Sequence, residues 1–167
     1  HKKGGAGITV GLLANGFPDS ELFLRKMGSV IQKRLPQIST KIWNKGNPGI
    51  TVPENMLQAI VTDCNVVIAA YGHWGSCTTG TVRDGYCIAK HGLPVVALIT
   101  DDFWEQSQFM AESIGMPDLP RLQLPHPVAG TGEDRIESIA HSIVDKILDR
   151  FSHEWGFKGR KRRIRIG

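Results

Sequence analysis

The sequence predicts a three-layer α/β fold around a five-stranded parallel sheet. Three observations carry that prediction. Two runs, Val66 to Ala70 and Pro94 to Ile99, are apolar without a break, as strands buried on both faces require. Strand-like and helix-like stretches alternate five times, with no internal repeat and no low-complexity segment. The chain is 167 residues long, with 41% hydrophobic and 22% charged residues, enough for one domain with its own core. That domain is placed at residues 1–155, followed by a basic tail at 156–167.

Taken in order, Ile8 to Ala14 reads as the first buried strand, ending at Asn15-Gly16. Pro18-Asp19-Ser20-Glu21 starts a helix, with Asp19 or Ser20 as N-cap, and Pro36 stops it. Leu22, Leu24, Met27, Val30, Ile31 and Leu35 recur within it at mostly helical spacing. Ser39 to Asn44 is a short second strand, Gly46 to Val52 a Gly- and Pro-rich loop, and Pro53 to Asp63 a short helix. After the central strand, Gly72 and Gly75 break the pattern, and a helix is expected from about Thr78 to His91, closed by Gly92. Pro94 to Ile99 is followed by a helix running to Gly115, for which Asp101 and Asp102 are N-cap candidates. Arg121 to Leu124 is the last strand, ending at Pro125-His126-Pro127. Thr131 opens the longest helix, with an apolar stripe through Ile136, Ile139, Ile143, Ile147 and Phe151.

Five such strands suggest the order 2-1-3-4-5 of flavodoxin-like folds. In that order the carboxyl ends of the first and third strands face each other at a switch point, where ligands bind. Two loops are thereby singled out, Asn15 to Ser20 and Gly72 to Thr79, and Cys77 lies in the second. A thiol among Ser76, Thr78 and Thr79 at a helix start sits in the positive end of the helix dipole, which favours the thiolate. The competing reading is a small residue packed in a tight turn. A cysteine acting near neutral pH needs a base, and His126, held between two prolines, and His73 can supply one. Asn15 is a candidate for binding a substrate carboxylate or amide, and equally an ordinary turn residue before glycine. Gly75, Ser76, Thr78, Thr79 and Asp101 offer further polar groups, and Trp74 a wall, a core residue or a subunit contact.

Composition excludes several classes. Cys64, Cys77 and Cys87 form an odd set without framework spacing, pointing to free thiols in a reducing, cytoplasmic compartment. Cys64 and Cys87 read as core residues. No apolar run approaches the roughly 20 residues of a membrane span. His73, Cys77 and His126 have the composition of a zinc site but no local ligand spacing, so no metal is expected. No glycine-rich phosphate fingerprint follows the first strand, so a dinucleotide is not expected; no cofactor of another kind is expected either. The formal charge of +4 is concentrated at Lys158, Arg160, Lys161, Arg162, Arg163 and Arg165, and without them the body is slightly acidic. Nucleic acid is therefore not the expected partner. The alternation Arg163-Ile164-Arg165-Ile166 reads as a short strand that packs across a neighbouring subunit.

Trp74-Gly75-Ser76-Cys77-Thr78 resembles the motif of the family named for selenocysteine-Gly-Ser-Cys (UGSC). The resemblance covers most of the chain, through Gly11-Leu12-Leu13-Ala14-Asn15-Gly16, Gly92-Leu93-Pro94 and Leu124-Pro125-His126-Pro127. More distantly, the chain is similar to the selenoprotein subunit (component B) of glycine reductase, with selenocysteine-Gly-Thr-Cys-Thr after a strand and Ile-Pro-His-Pro downstream. The resemblance implies an active-site chalcogen that attacks a small activated substrate and holds it covalently. Here the selenocysteine position is Trp74, and the position before it, often acidic in the family, is His73. A selenol–thiol redox pair is thereby ruled out at the motif, and Cys77 is the nucleophile that remains.

Two functions follow as expectations. One is an enzyme acting on a small carboxylate- or carbonyl-bearing metabolite through a covalent thio-intermediate at Cys77, by lyase, hydrolase or transfer chemistry. The other is a non-catalytic or co-catalytic subunit of a larger enzyme, with Trp74 as an interface anchor. The first accords with a homo-oligomer, the second with a hetero-oligomer containing a related subunit.

Overall fold

The computed structural model describes residues 7–152 together with the backbone of two short strands, Trp155–Phe157 and Arg160–Arg162. The main sheet has strands β1 (Thr9–Ala14), β2 (Ser39–Asn44), β3 (Val66–Gly72), β4 (Val95–Thr100) and β5 (Arg121–Leu124). All pairings are parallel and the order is β2-β1-β3-β4-β5. Helices α1 (Ser20–Arg34), α2 (Glu54–Asp63), α3 (Gly75–Lys90), α4 (Trp104–Ser113) and α5 (Glu133–Ser152) connect and cover the strands. The fold is thus the flavodoxin-like α/β architecture that the alternation and the apolar strands predict.

The three layers follow from the period-two alternation of strand side chains. Val10, Leu12 and Ala14 of β1, Val66, Ile68 and Ala70 of β3, and Val96 and Leu98 of β4 face α1 and α5. Leu13, Val67, Ala69, Val95 and Ile99 face the other way, onto α2, α3 and α4. Both faces of β3 and β4 are buried at every position, which is why those two runs contain no polar alternation. The edge strand β2 has no fully buried residue, and its Lys41 pairs with Asp63 at 3.0 Å. Among the described residues no helix is long and apolar enough to cross a membrane.

Several boundaries differ from the sequence expectation, each for a local reason. Asp19 stands at the N-cap of α1 but in the left-handed region (φ 65°), and its side chain does not cap the helix. Its carboxylate instead accepts the Gly130 N–H at 2.8 Å, tying the β1 and β5 loops together. Asp101 and Asp102 cap nothing. They form a 3-10 turn, Asp101–Phe103, and α4 starts only at Trp104. α5 starts at Glu133 rather than Thr131, whose hydroxyl is spent on Val128 O at 2.6 Å. α3 starts three residues before Thr78, at Gly75, and that shift moves Ser76 and Cys77 into the helix. The strands Trp155–Phe157 and Arg160–Arg162 pair antiparallel, whereas the strand expected at Arg163 to Ile166 lies outside the described residues.

Candidate functional site

Parallel register brings Ala14, Gly72, Thr100 and Leu124 to one edge of the sheet, so four loops meet there. Trp74 stands before α3 with an extended backbone (φ −143°, ψ 176°), which turns the chain sharply into the helix. This leaves the N–H groups of His73 and Trp74 without helical partners. Both point at Cys77 Sγ, at 3.1 and 2.8 Å, and a protonated Sγ can donate to Trp74 O at 3.3 Å. The sulfur thus does what a carboxylate does at the third position of a capping box.

The thiol is nevertheless fully buried. Burial pushes its pKa up, and the N–H groups of His73, Trp74, Cys77 and Thr78 oppose that without reversing it. A helix dipole that favours the thiolate is therefore only half of the picture at Cys77: desolvation outweighs it in the closed chain. The other two thiols have less help. Cys64, packed against Gly11 at the amino end of β3, is pushed up to about 12 by burial and by Asp63. Cys87, half-buried in the last turn of α3, is raised by burial and by Asp84.

His73 is the hub of the site. Its Nε2 accepts two backbone N–H groups, from Val128 at 3.0 Å and Ala129 at 3.1 Å. Those bonds fix the neutral tautomer with the proton on Nδ1, a buried donor that has no hydrogen-bond partner among the described residues. Burial lowers the His73 pKa, and the neighbouring His126 lowers it further. The imidazole stacks on Phe17 (centroids 4.9 Å apart) and lies against His126 (4.6 Å) and Tyr71 (5.3 Å). His126 is held from both ends, with Nδ1 2.9 Å from Thr100 Oγ1 and Nε2 3.5 Å from Asp102 Oδ2. Cys77, His73 and His126 are thus brought into one cluster: the backbone of His73 holds the sulfur and its ring carries the second histidine.

The remaining sequence candidates divide. Asn15 is buried and its amide is occupied: Nδ2 donates to Tyr71 O at 2.7 Å and Oδ1 accepts the Phe17 N–H at 3.0 Å. It fastens the β1 loop to β3. Thr78 is buried with a hydroxyl that has no partner among the described residues, while Thr79 Oγ1 donates to Gly75 O at 3.2 Å. Gly75 O also accepts from Gln106 Nε2 at 2.8 Å, so α4 braces the start of α3. Ser76 and Asp101 are exposed, as is Trp74 at 64%, which removes Trp74 from the core.

Sequence reasoning missed Thr100, Phe17 and the buried pair Lys45–Asp84. Thr100 carries the one usable signal, a lone polar residue at the carboxyl end of an apolar strand. Among the described residues, no three His, Cys, Asp or Glu side chains gather closely enough to hold a metal ion.

The profile of the UGSC family matches residues 1–153. No curated protein matches the chain. Among solved structures, an NMR structure of diflavin flavoprotein A3 from Nostoc sp. PCC 7120 superposes with a TM-score of 0.47 at 12% identity, covering 86% of this chain and 96% of that one. A crystal structure of diflavin flavoprotein A3 from Nostoc sp. gives 0.43 at 10% identity, covering 87% and 96%.

Proposed function

The chain belongs to the UGSC family, and from that premise we propose that it is an enzyme using Cys77 on a small carboxylate- or carbonyl-bearing metabolite. The observation that carries the reading is the convergence of two backbone N–H groups on Cys77 Sγ beside a pair of histidines. Such N–H groups stabilise a thiolate, and they can equally stabilise negative charge that develops on a bound substrate. In the proposed step the Sγ–H proton passes to a base, a C–S bond forms, and the carbonyl π pair moves onto oxygen.

The two histidines take different roles. His73 has its Nε2 lone pair committed to Val128 and Ala129, so it is a poor base and a good fixed donor. His126 lies against the His73 ring with Asp102 and Thr100 orienting its own, and it takes the role of general base in this reading. Asn15 supports the reading as the residue that positions the loop carrying Phe17. Peptide-resolved alkylation with iodoacetamide at neutral pH tests the nucleophile. Cys77 is expected to react faster than Cys64 and faster than the more exposed Cys87. A Cys77 no faster than either defeats the assignment.

Two exposed aromatic residues favour a second reading. Trp74 is 64% and Phe109 72% exposed, on helix termini and surfaces braced together by the Gln106–Gly75 hydrogen bond. Tryptophan is favoured in contact hot spots, so the chain is also proposed to assemble, with itself or a related subunit, in the cytoplasm. Light scattering after size exclusion on the isolated chain should show a stable oligomer. If that homo-oligomer turns over substrate and Cys77→Ser abolishes turnover, the reading as a non-catalytic subunit fails.

A further inference from the structure

The loop that follows β2 is fastened to α3 by groups that the candidate site does not use. Lys45 Nζ lies 2.6 Å from Asp84 Oδ2, with both side chains essentially unexposed, and also donates to Ile50 O at 2.5 Å. Asp84 Oδ1 accepts the Val52 N–H at 2.8 Å. Both ends of the loop, Lys45 and Val52, thus converge on one carboxylate. Between them Pro48 O rests on Gly80, where an added Cβ would collide with it. The tip, including Asn47, Gly49 and Ile50, is exposed.

What matters is the face of α3 on which this loop lies. Cys77, Gly80, Thr81 and Asp84 recur at spacings of three and four and share one side of the helix. All four are buried. The loop lies on the Gly80 and Asp84 positions of this stripe, one turn along from Cys77, a thiol with no exposure. Gly80 is a second mark of the same arrangement. A mid-helix glycine costs about 1 kcal/mol relative to alanine, and here the missing side chain is what admits Pro48 O.

We propose that Lys45–Val52 is a strap across the Cys77 face of α3, and that the Lys45–Asp84 ion pair is the latch that holds it shut. Lys45 and Asp84 are positioning residues: they touch no reacting atom, and they control whether a small molecule reaches the sulfur. The catalytic consequence rests on the nucleophile reading given above; the gating itself does not. A latch made of charge suits such a role. A buried pair holds firmly while both partners are present, and removing one leaves an uncompensated charge that has to find water.

The test uses the full-length chain, with peptide-resolved iodoacetamide alkylation and amide hydrogen exchange on two variants. Gly80→Ala displaces the strap while improving the helix, and Lys45→Met with Asp84→Leu removes the latch without stranding a charge. Both are expected to raise the alkylation rate of Cys77 by about tenfold or more, the equivalent of one lost charged hydrogen bond. Amides of residues 46–52 should lose protection. Cys64, at the opposite edge of the sheet, should keep its rate. An unchanged Cys77 rate in both variants overturns the strap, and so does a parallel rise at Cys64, which marks global opening. A Cys77 that gains access in Gly80→Ala yet stays slower than Cys87 supports the strap and defeats the nucleophile assignment, so the two failures are distinguishable.

Discussion

Asp84→Leu alone is expected to cost about 3–5 kcal/mol of folding stability, and adding Lys45→Met should return most of it. The single substitution leaves the Lys45 ammonium buried without its 2.6 Å partner, whereas the double one replaces two buried charges by apolar groups of similar reach. That the pair is not a large net source of stability is visible at Asp84 itself. Burial pushes its carboxyl up from 3.8 to about 6, and the attraction of Lys45 only partly offsets this. The sign of the pH dependence follows. Between pH 4 and 6 the native chain holds a proton at Asp84 that the unfolded chain has released, so this group's contribution to stability grows as pH falls from about 6 towards 4. Urea denaturation across that range should show this slope in the native sequence and lose it in the double variant. A double variant as unstable as the single one would mean that hydrogen bonds to Ile50 and Val52, not charge balance, dominate the site.

The same pair marks the limit of what the sequence makes legible. The sheet order was readable because uninterrupted apolar runs such as Val66–Ala70 occur only where both faces are covered, and the carboxyl edge then follows from parallel register. Cys77 and His126 were readable as lying at one edge because both follow strands that end there. Lys45 and Asp84 were not. A lysine after an edge strand and an aspartate inside a helix each look solvated, and only the crossing of the β2 loop over α3 buries them together. Local signals failed where tertiary contacts competed with them. Asp19 and Asp102 have the side chain of a helix cap, but Gly130 and His126 offer better partners. The burial of Cys77 was one of two readings left open, a small residue packed in a tight turn against a reactive thiol, since polar neighbours in sequence say nothing about what lies across the helix.

His126→Gln is expected to slow adduct formation between Cys77 and a small carbonyl electrophile by about 10²–10⁴-fold, the usual worth of a positioned general base. The reasoning runs through His73, the other candidate. Protonating His73 Nε2 would set a third hydrogen against the two N–H groups of Val128 and Ala129, and burial already lowers its pKa. His73 should therefore stay neutral and act through its fixed ring and its Nδ1–H, leaving the proton to His126, whose nitrogens face Thr100 and Asp102. His73 has its own signature. A base whose folded value lies below 6.5 takes up its proton later than the unfolded chain does, so stability falls as pH drops below about 6.5. His73→Gln should remove that acid-side loss in a denaturation series, while His126→Gln produces the larger drop in adduct rate. If instead His73→Gln stops adduct formation and His126→Gln leaves it unchanged, the base is His73 and the division of labour drawn from their hydrogen bonds is wrong.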